Sequence, residues 1–243
     1  MTVAQEGRGR LHPVAHLSLR DPQWLAAQLP ALSRAGVRMA MVAPALVDGR
    51  PLSHPSHDRL WAAFCEHGIT PTFHVADQPR IFGDGWYTDD EAFIPAIDAI
   101  FISTAAALAC TDLILNGTLE RYPDLRIGIV ELSAVWVPLF LMMLDGATAF
   151  TRQLNGGARV ELPLSPSDYF RRQVRVSSFS YEQPSQLAEQ IGGRDILMCC
   201  SDYPHSEGTA TPRLDYESGG LDPTAAPMAG LFGDNISYLL RKN

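Results

Sequence analysis

The segment from Asp195 to Gly208 reads DILMCCSDYPHSEG. Ile196 to Cys200 is a short, wholly apolar run of the kind that forms a strand buried on both faces. It stops at Ser201, Asp202, Tyr203, Pro204 and His205. A carboxylate and an imidazole directly past a core strand suit a site, because parallel α/β proteins keep their chemistry at the C-terminal ends of strands. The plainer reading of Asp202 is an Asx-type turn that caps the next segment, and this stretch alone leaves both open. Two more residues hold equivalent places. His74 lies near the end of ITPTFHV (residues 69–75), and Glu131 closes LRIGIVE (residues 125–131). Core histidines are common, so position alone does not make His74 functional. If the strand ends converge on one mouth, one imidazole and two carboxylates there form a metal or acid/base cluster. His12 and His16 are a weaker pair: four residues of strand span about 13 Å, too far for one ion, so both read as non-ligands.

The elements that must position these groups alternate along the chain. Strands are expected at 11–19 (LHPVAHLSL), 37–43 (VRMAMVA), 69–75, 125–131, 174–179 (VRVSSF) and 196–200. Between the first two, Asp21 caps a helix with Pro22 at its first position, and Gly36 stops it. A second helix runs from Ser56 to His67 and ends at Gly68. Residues 92–122 are apolar almost all round and read as a buried helical hairpin, its second helix starting near Thr111 and Asp112. Further helices are expected at 135–154, 166–173, 183–191 and 228–240. Two breaks in composition stand out. Residues 77–90 mix Gly, Asp and Pro with Phe82, Trp86 and Tyr87, as in a structured lid or an anchored loop. Residues 206–227 are rich in Gly, Thr and Pro and read as a second flap.

Strand–helix alternation six times over predicts parallel strands with right-handed crossovers. At 243 residues, with 46% hydrophobic content, the chain has the size of one α/β barrel domain. The expected division is a loose polar arm over residues 1–10 and a single barrel-type domain over 11–243. No GxGxxG or GxxxxGK motif follows the first strand, which leaves dinucleotide and P-loop sites without support. A net charge of −8 and the lack of a Lys/Arg run argue against nucleic acid. The most apolar window, residues 135–144, holds Pro138 and is too short to span a bilayer, so no membrane partner is expected. MTVAQEGRGR lacks the apolar stretch of a signal peptide. The four cysteines show no CxxC spacing and read as reduced core residues of a cytoplasmic protein.

The order LHPVAHLSLRDP, HPSHDRLWAAFCEHGITPTFHV, LNGTLERYPDLRIGIVELSAVWVP, PSDYFRRQ, ILMCCSDYPHSEGT, GDNISYLL resembles the amidohydrolase-related proteins grouped with aminocarboxymuconate-semialdehyde decarboxylase. The resemblance covers nearly all of residues 10–243, and the SDYPH and ERYPDLRI segments carry most of it. It implies a distorted TIM-like (β/α) barrel with one divalent metal, zinc being expected, at the strand ends. It implies hydrolysis or non-oxidative decarboxylation of a small, often aromatic, carboxylate. On the resemblance His74 and Asp202 are metal ligands, and Asp202 also holds the attacking water. Glu131 falls where many members have a catalytic histidine and one branch has glutamate; Trp136 and Pro138 belong to that branch.

One part of the pattern is missing. The family opens with a strand bearing an HxH metal pair, and no HxH exists in this sequence. The chain reads as beginning inside the family's domain, at its second strand, so the barrel is expected to be incomplete at the N-terminus. Two ligands, or three with Glu131, make a poor shell, and weak or absent zinc binding is expected. Two functions remain: an enzyme in which Asp202 and Glu131 are catalytic, or a metal-free barrel paralogue that binds without catalysis. A missing first strand also leaves residues 11–19 with an open edge, from which a homodimer is expected.

Overall fold

The computed structural model describes residues 6–75, 79–88, 94–192, 196–206, 208–218 and 229–241. Six parallel strands form one sheet: β1 (Val14–His16), β2 (Met39–Met41), β3 (Thr70–His74), β4 (Ile127–Val130), β5 (Val174–Ser178) and β6 (Leu197–Cys199). Their order in space is their order in sequence, β1-β2-β3-β4-β5-β6. Each crossover therefore adds a neighbour on the same side, the winding of a barrel and not of a doubly wound sheet. Among the described residues β1 pairs only with β2 and β6 only with β5, so the arc has two edges.

The helices that link the strands are α1 (Pro22–Arg34), α2 (Asp58–His67), α3 (Ala96–Ile100), α4 (Thr104–Leu115), α5 (Thr118–Arg121), α6 (Val137–Asn155), α7 (Pro166–Gln173) and α8 (Pro184–Gln190); α9 (Pro212–Ser218) and α10 (Asn235–Leu239) follow β6. Local chemistry sets several of their ends. Asp21 accepts a hydrogen bond from the Trp24 N–H at 2.9 Å and Pro22 opens α1, as the sequence predicts. Gly68 closes α2 at a φ of 60°, where its N–H bonds back to Phe64 and Cys65.

Pairing register separates the two faces of the sheet. Ala40, Phe73, Ile127, Ile129, Val174, Val176 and Leu197 share one face and are buried with Leu25, Phe64, Leu113 and Phe170 from the helices. Met39, Thr70, Thr72, Gly128, Arg175, Ser177 and Met198 share the other, the face that lines the lumen of a barrel. Here α10 lies on it: Leu239 and Leu240 are buried with Met39 and Met198. The Leu239 carbonyl accepts a 2.7 Å bond from Thr70 Oγ1. Gly128 makes room for this helix, since a Cβ there would meet Leu239 Cδ1 at 3.2 Å and Thr72 Oγ1 at 3.1 Å. The Tyr238 ring is held between the Arg126 and Arg175 guanidiniums at 4.0 and 4.1 Å, fastening α10 beside the starts of β4 and β5.

Two expectations need correction, and three more fall partly outside the described residues. The strand at residues 11–19 shortens to Val14–His16, after Pro13, which has no N–H to give a ladder. No helix starts near Thr111 and Asp112: α4 runs through both. Thr111 Oγ1 donates back to the Ala107 carbonyl, and the Asp112 carboxylate serves Ser53, accepting from its N–H at 2.8 Å and its hydroxyl at 2.6 Å. The expected lid, flap and N-terminal arm lie partly outside the described residues, at 1–5, 77–78, 89–90, 207 and 219–227.

Candidate metal centre

His74, Glu131 and Asp202 meet at the C-terminal edge of the sheet. His74 ends β3, and its Nδ1–H donates to the Val75 carbonyl at 2.6 Å, which fixes the ring. Its Nε2 lies 2.7 Å from Glu131 Oε2. Glu131 follows β4 directly. Its other oxygen, Oε1, lies 3.7 Å from His205 Nδ1, and that nitrogen lies 2.8 Å from Asp202 Oδ1. The four side chains form a row, His74–Glu131–His205–Asp202. Their exposure rises from 7% for Asp202 through 18% for Glu131 and 28% for His74 to 56% for His205, so solvent reaches the site past His205.

The backbone beneath the two carboxylates is unusual. Glu131, Ser133 and Asp202 have φ values of 57°, 60° and 53°, left-handed positions that side chains other than glycine rarely take. Neighbours hold each one there. The Glu131 N–H donates to Ser177 Oγ, on β5, at 2.9 Å. Buried Glu182 accepts from the Ser133 hydroxyl, from the Ala134 N–H at 3.2 Å and from the Phe179 N–H at 2.9 Å, tying the loops after β4 and β5 together. Around Asp202, its carbonyl accepts from the His205 N–H at 2.9 Å and Thr209 N–H reaches the Ser201 carbonyl at 2.8 Å. Gly208 is required by this turn: a Cβ there would lie 2.3 Å from the Asp202 carbonyl oxygen. Behind it, the Tyr216 hydroxyl donates to the Ser178 carbonyl and accepts from the Cys200 N–H.

One ligand atom each from Glu131, Asp202 and His205 lies within 4.8 Å of the others, a set able to hold a metal ion. Two carboxylates so close repel each other, and a cation between them removes that cost. The donors present therefore fit a divalent cation. His12 and His16 are not in this group. Cys200 is not in this group either, and burial pushes its thiol up to about 11, with the charges of Asp202 and Glu131 pushing the same way. The sequence marks His205 only as an imidazole past the sixth strand, and nothing in it singles out Glu182 or Ser177. The Asp202–His205 spacing of three residues across a Tyr-Pro turn was the one signal for His205.

A singly wound parallel sheet with acidic and imidazole side chains grouped at its C-terminal edge defines a barrel-type α/β protein. The amidohydrolase family model (Amidohydro_2) matches residues 1–242, and the chain belongs to that family. No curated protein matches it. Among solved structures it is similar to an amidohydrolase from Mycobacterium avium subsp. paratuberculosis K-10, at 25% identity and a TM-score of 0.72 over 94% of this chain. It spans 57% of the length of that protein. It is also similar to 5-carboxyvanillate decarboxylase from Sphingomonas paucimobilis, at 20% identity and a TM-score of 0.73, covering 100% of this chain and 70% of the other. A third is 5-carboxyvanillate decarboxylase from Novosphingobium aromaticivorans, complexed with manganese and a nitrobenzoic acid, at 19% identity and a TM-score of 0.75. That match covers 99% of this chain and 67% of the other. These are TIM-barrel amidohydrolases, and the six-stranded α/β sheet shares their fold.

Proposed function

We propose that this chain carries the catalytic edge of a metal-dependent, non-oxidative decarboxylase that acts on a small aromatic carboxylate. The observation that carries the reading is the row His74–Glu131–His205–Asp202 at the C-terminal edge of the sheet. Asp202 and an imidazole would hold the cation. When bound, it supplies a positive centre for the carboxylate of the substrate and a neighbouring oxygen. Two carboxylates and one imidazole are a hard donor set, which suits manganese better than the zinc expected from resemblance.

In the reaction the bond from the ring carbon to the carboxylate breaks, carbon dioxide leaves, and the electron pair on the ring carbon takes up a proton. In this reading Asp202 would give that proton and His205, whose Nδ1 lies 2.8 Å from Asp202 Oδ1 and whose ring is exposed, would replace it. At the same end of the sheet a cavity of about 620 Å³ opens beside His16, Leu17, Ala43, Leu46 and Val47, over the ends of β1 and β2, and none of the four residues of the row lines it. Four free cysteines support a reducing, cytoplasmic setting. The exposed β1 edge, with Val14 52% accessible, supports pairing with a second copy.

The experiment is release of carbon dioxide from a panel of hydroxybenzoates with added Mn²⁺. Turnover that requires the metal and falls at least ~100-fold in Asp202→Asn is the expected outcome. Metal uptake with neither carbon dioxide release nor hydrolysis across the panel would overturn the reading in favour of a non-catalytic binder.

A further inference from the structure

We propose that the outer face of α6 is a docking surface for a second copy of this chain, the two helices crossing antiparallel about a two-fold axis at Gly146. The inference stands apart from the decarboxylase reading and from the β1 edge. Val137, Leu141 and Leu144 bury one side of α6. At about 100° of rotation per residue, the opposite side is centred on Gly146. Leu139, Met142, Met143, Phe150, Leu154 and Val135, just before the helix, fall within roughly 80° of that centre. Each of the six is 54–68% exposed. Gln153 is the one polar side chain among them, and no charge interrupts the stripe. Asp145 turns away, accepting from the Ser167 N–H and hydroxyl at 2.9 and 2.7 Å, and Arg152 pairs with Glu161 at 2.6 Å.

Six side chains of this size and exposure leave on the order of 700 Å² of apolar surface in water, where the largest patch on a typical monomer is about 300–600 Å². A standard interface buries about 800 Å² per partner, so the stripe alone nearly meets what a stable dimer needs. The face offers a charged partner nothing to pair with. It is, however, its own complement. In a two-fold contact, if residue i meets residue j, then j also meets i. With Gly146 on the axis, Met142 and Met143 of one copy meet Phe150 of the other, and Leu139 meets Leu154. A thioether sulfur against an aromatic ring is a favourable contact. Gly146 stands at the middle of α6 and permits close approach there, because a Cβ would meet nothing within 4 Å.

The test is sedimentation velocity of the full chain at about 1–100 µM, with circular dichroism of each variant as the check on folding. A reversible dimer is expected. Met142→Glu sets an unpaired carboxylate against Phe150 of the other copy and should weaken association at least ~100-fold. Val14→Lys, on the β1 edge, should leave association unchanged. Gly146→Cys, on the axis, should yield a covalent dimer under mild oxidation, and Leu154→Cys, which faces Leu139, should not. The substituted side chains are already in water in the single chain, so the changes act on association and leave the fold of one copy nearly unaltered. A dimer that survives Met142→Glu and dissociates in Val14→Lys would overturn the assignment, as would a chain that stays monomeric throughout. Equal coupling at the two cysteines would overturn the axis at Gly146. None of these outcomes bears on carbon dioxide release.

Discussion

Glu182 stands outside the row of four, yet it binds the segment that follows Glu131. Its carboxylate gathers three donors from the loops that follow β4 and β5, and the strand-end geometry of Glu131 depends on those loops. Buried donors left unpaired cost roughly 1–3 kcal/mol each. Glu182→Ala is therefore expected to destabilise the protein by about 3 kcal/mol and Glu182→Gln by about half as much, read from urea unfolding midpoints. Equal stability of all three proteins would show that solvent satisfies those groups. At this scale the sequence is uneven as a guide. His74, Glu131 and Asp202 could be found because each stands at the polar end of an apolar run. His205 and Glu182 could not be placed in the same way. Their partners are set by how two loops fold over a strand edge, and neither loop has a repeating pattern to read.

The element whose place was hardest to foresee is α10. Its apolar residues are plain in the sequence, but nothing there says which face of the sheet they cover. They lie on the lumenal side, with Leu239 fully buried over Gly128 and its carbonyl held by Thr70. Leu239→Ala should cost about 2–5 kcal/mol, as for other buried leucines cut back to alanine. Phe150→Ala, on the exposed side of α6, should change stability by less than about 0.5 kcal/mol. Similar losses at the two positions, measured by thermal melts, would mean that α10 is not fixed to the sheet. The strands themselves were legible in place because burial on both sides makes them continuous apolar runs. Their lengths were not, since Pro13 and the loops cut the ladders short. The error at Thr111 and Asp112 has the same origin: both residue types cap helices, but each here found another partner inside a continuous α4.

For the whole molecule, burial of thiols couples stability to pH. Burial raises Cys110 from 9.0 to about 12, and Cys65 and Cys200 from 9.0 to about 11. Above pH 9 the unfolded chain releases protons that the folded chain keeps, so stability falls as pH rises. The contribution is complete below pH 9 and is lost progressively toward about pH 11–12. Melting temperatures should drop across that window, and Cys110→Ala should flatten the drop; a curve unchanged by the substitution would show that other groups control it. The order of the strands, which makes the fold a barrel arc, could be inferred from the alternation of elements and the handedness of crossovers, and it places every candidate donor at one edge. That edge is also where Glu131, Ser133 and Asp202 sit in left-handed backbone. Such positions cost on the order of 1 kcal/mol each in a residue with a side chain. Glycine would be at ease in all three and would take both acids away. A collection of variants sorted only for endurance to heat would thus drift toward sturdier chains with an empty strand edge, the chemistry discarded ahead of the fold.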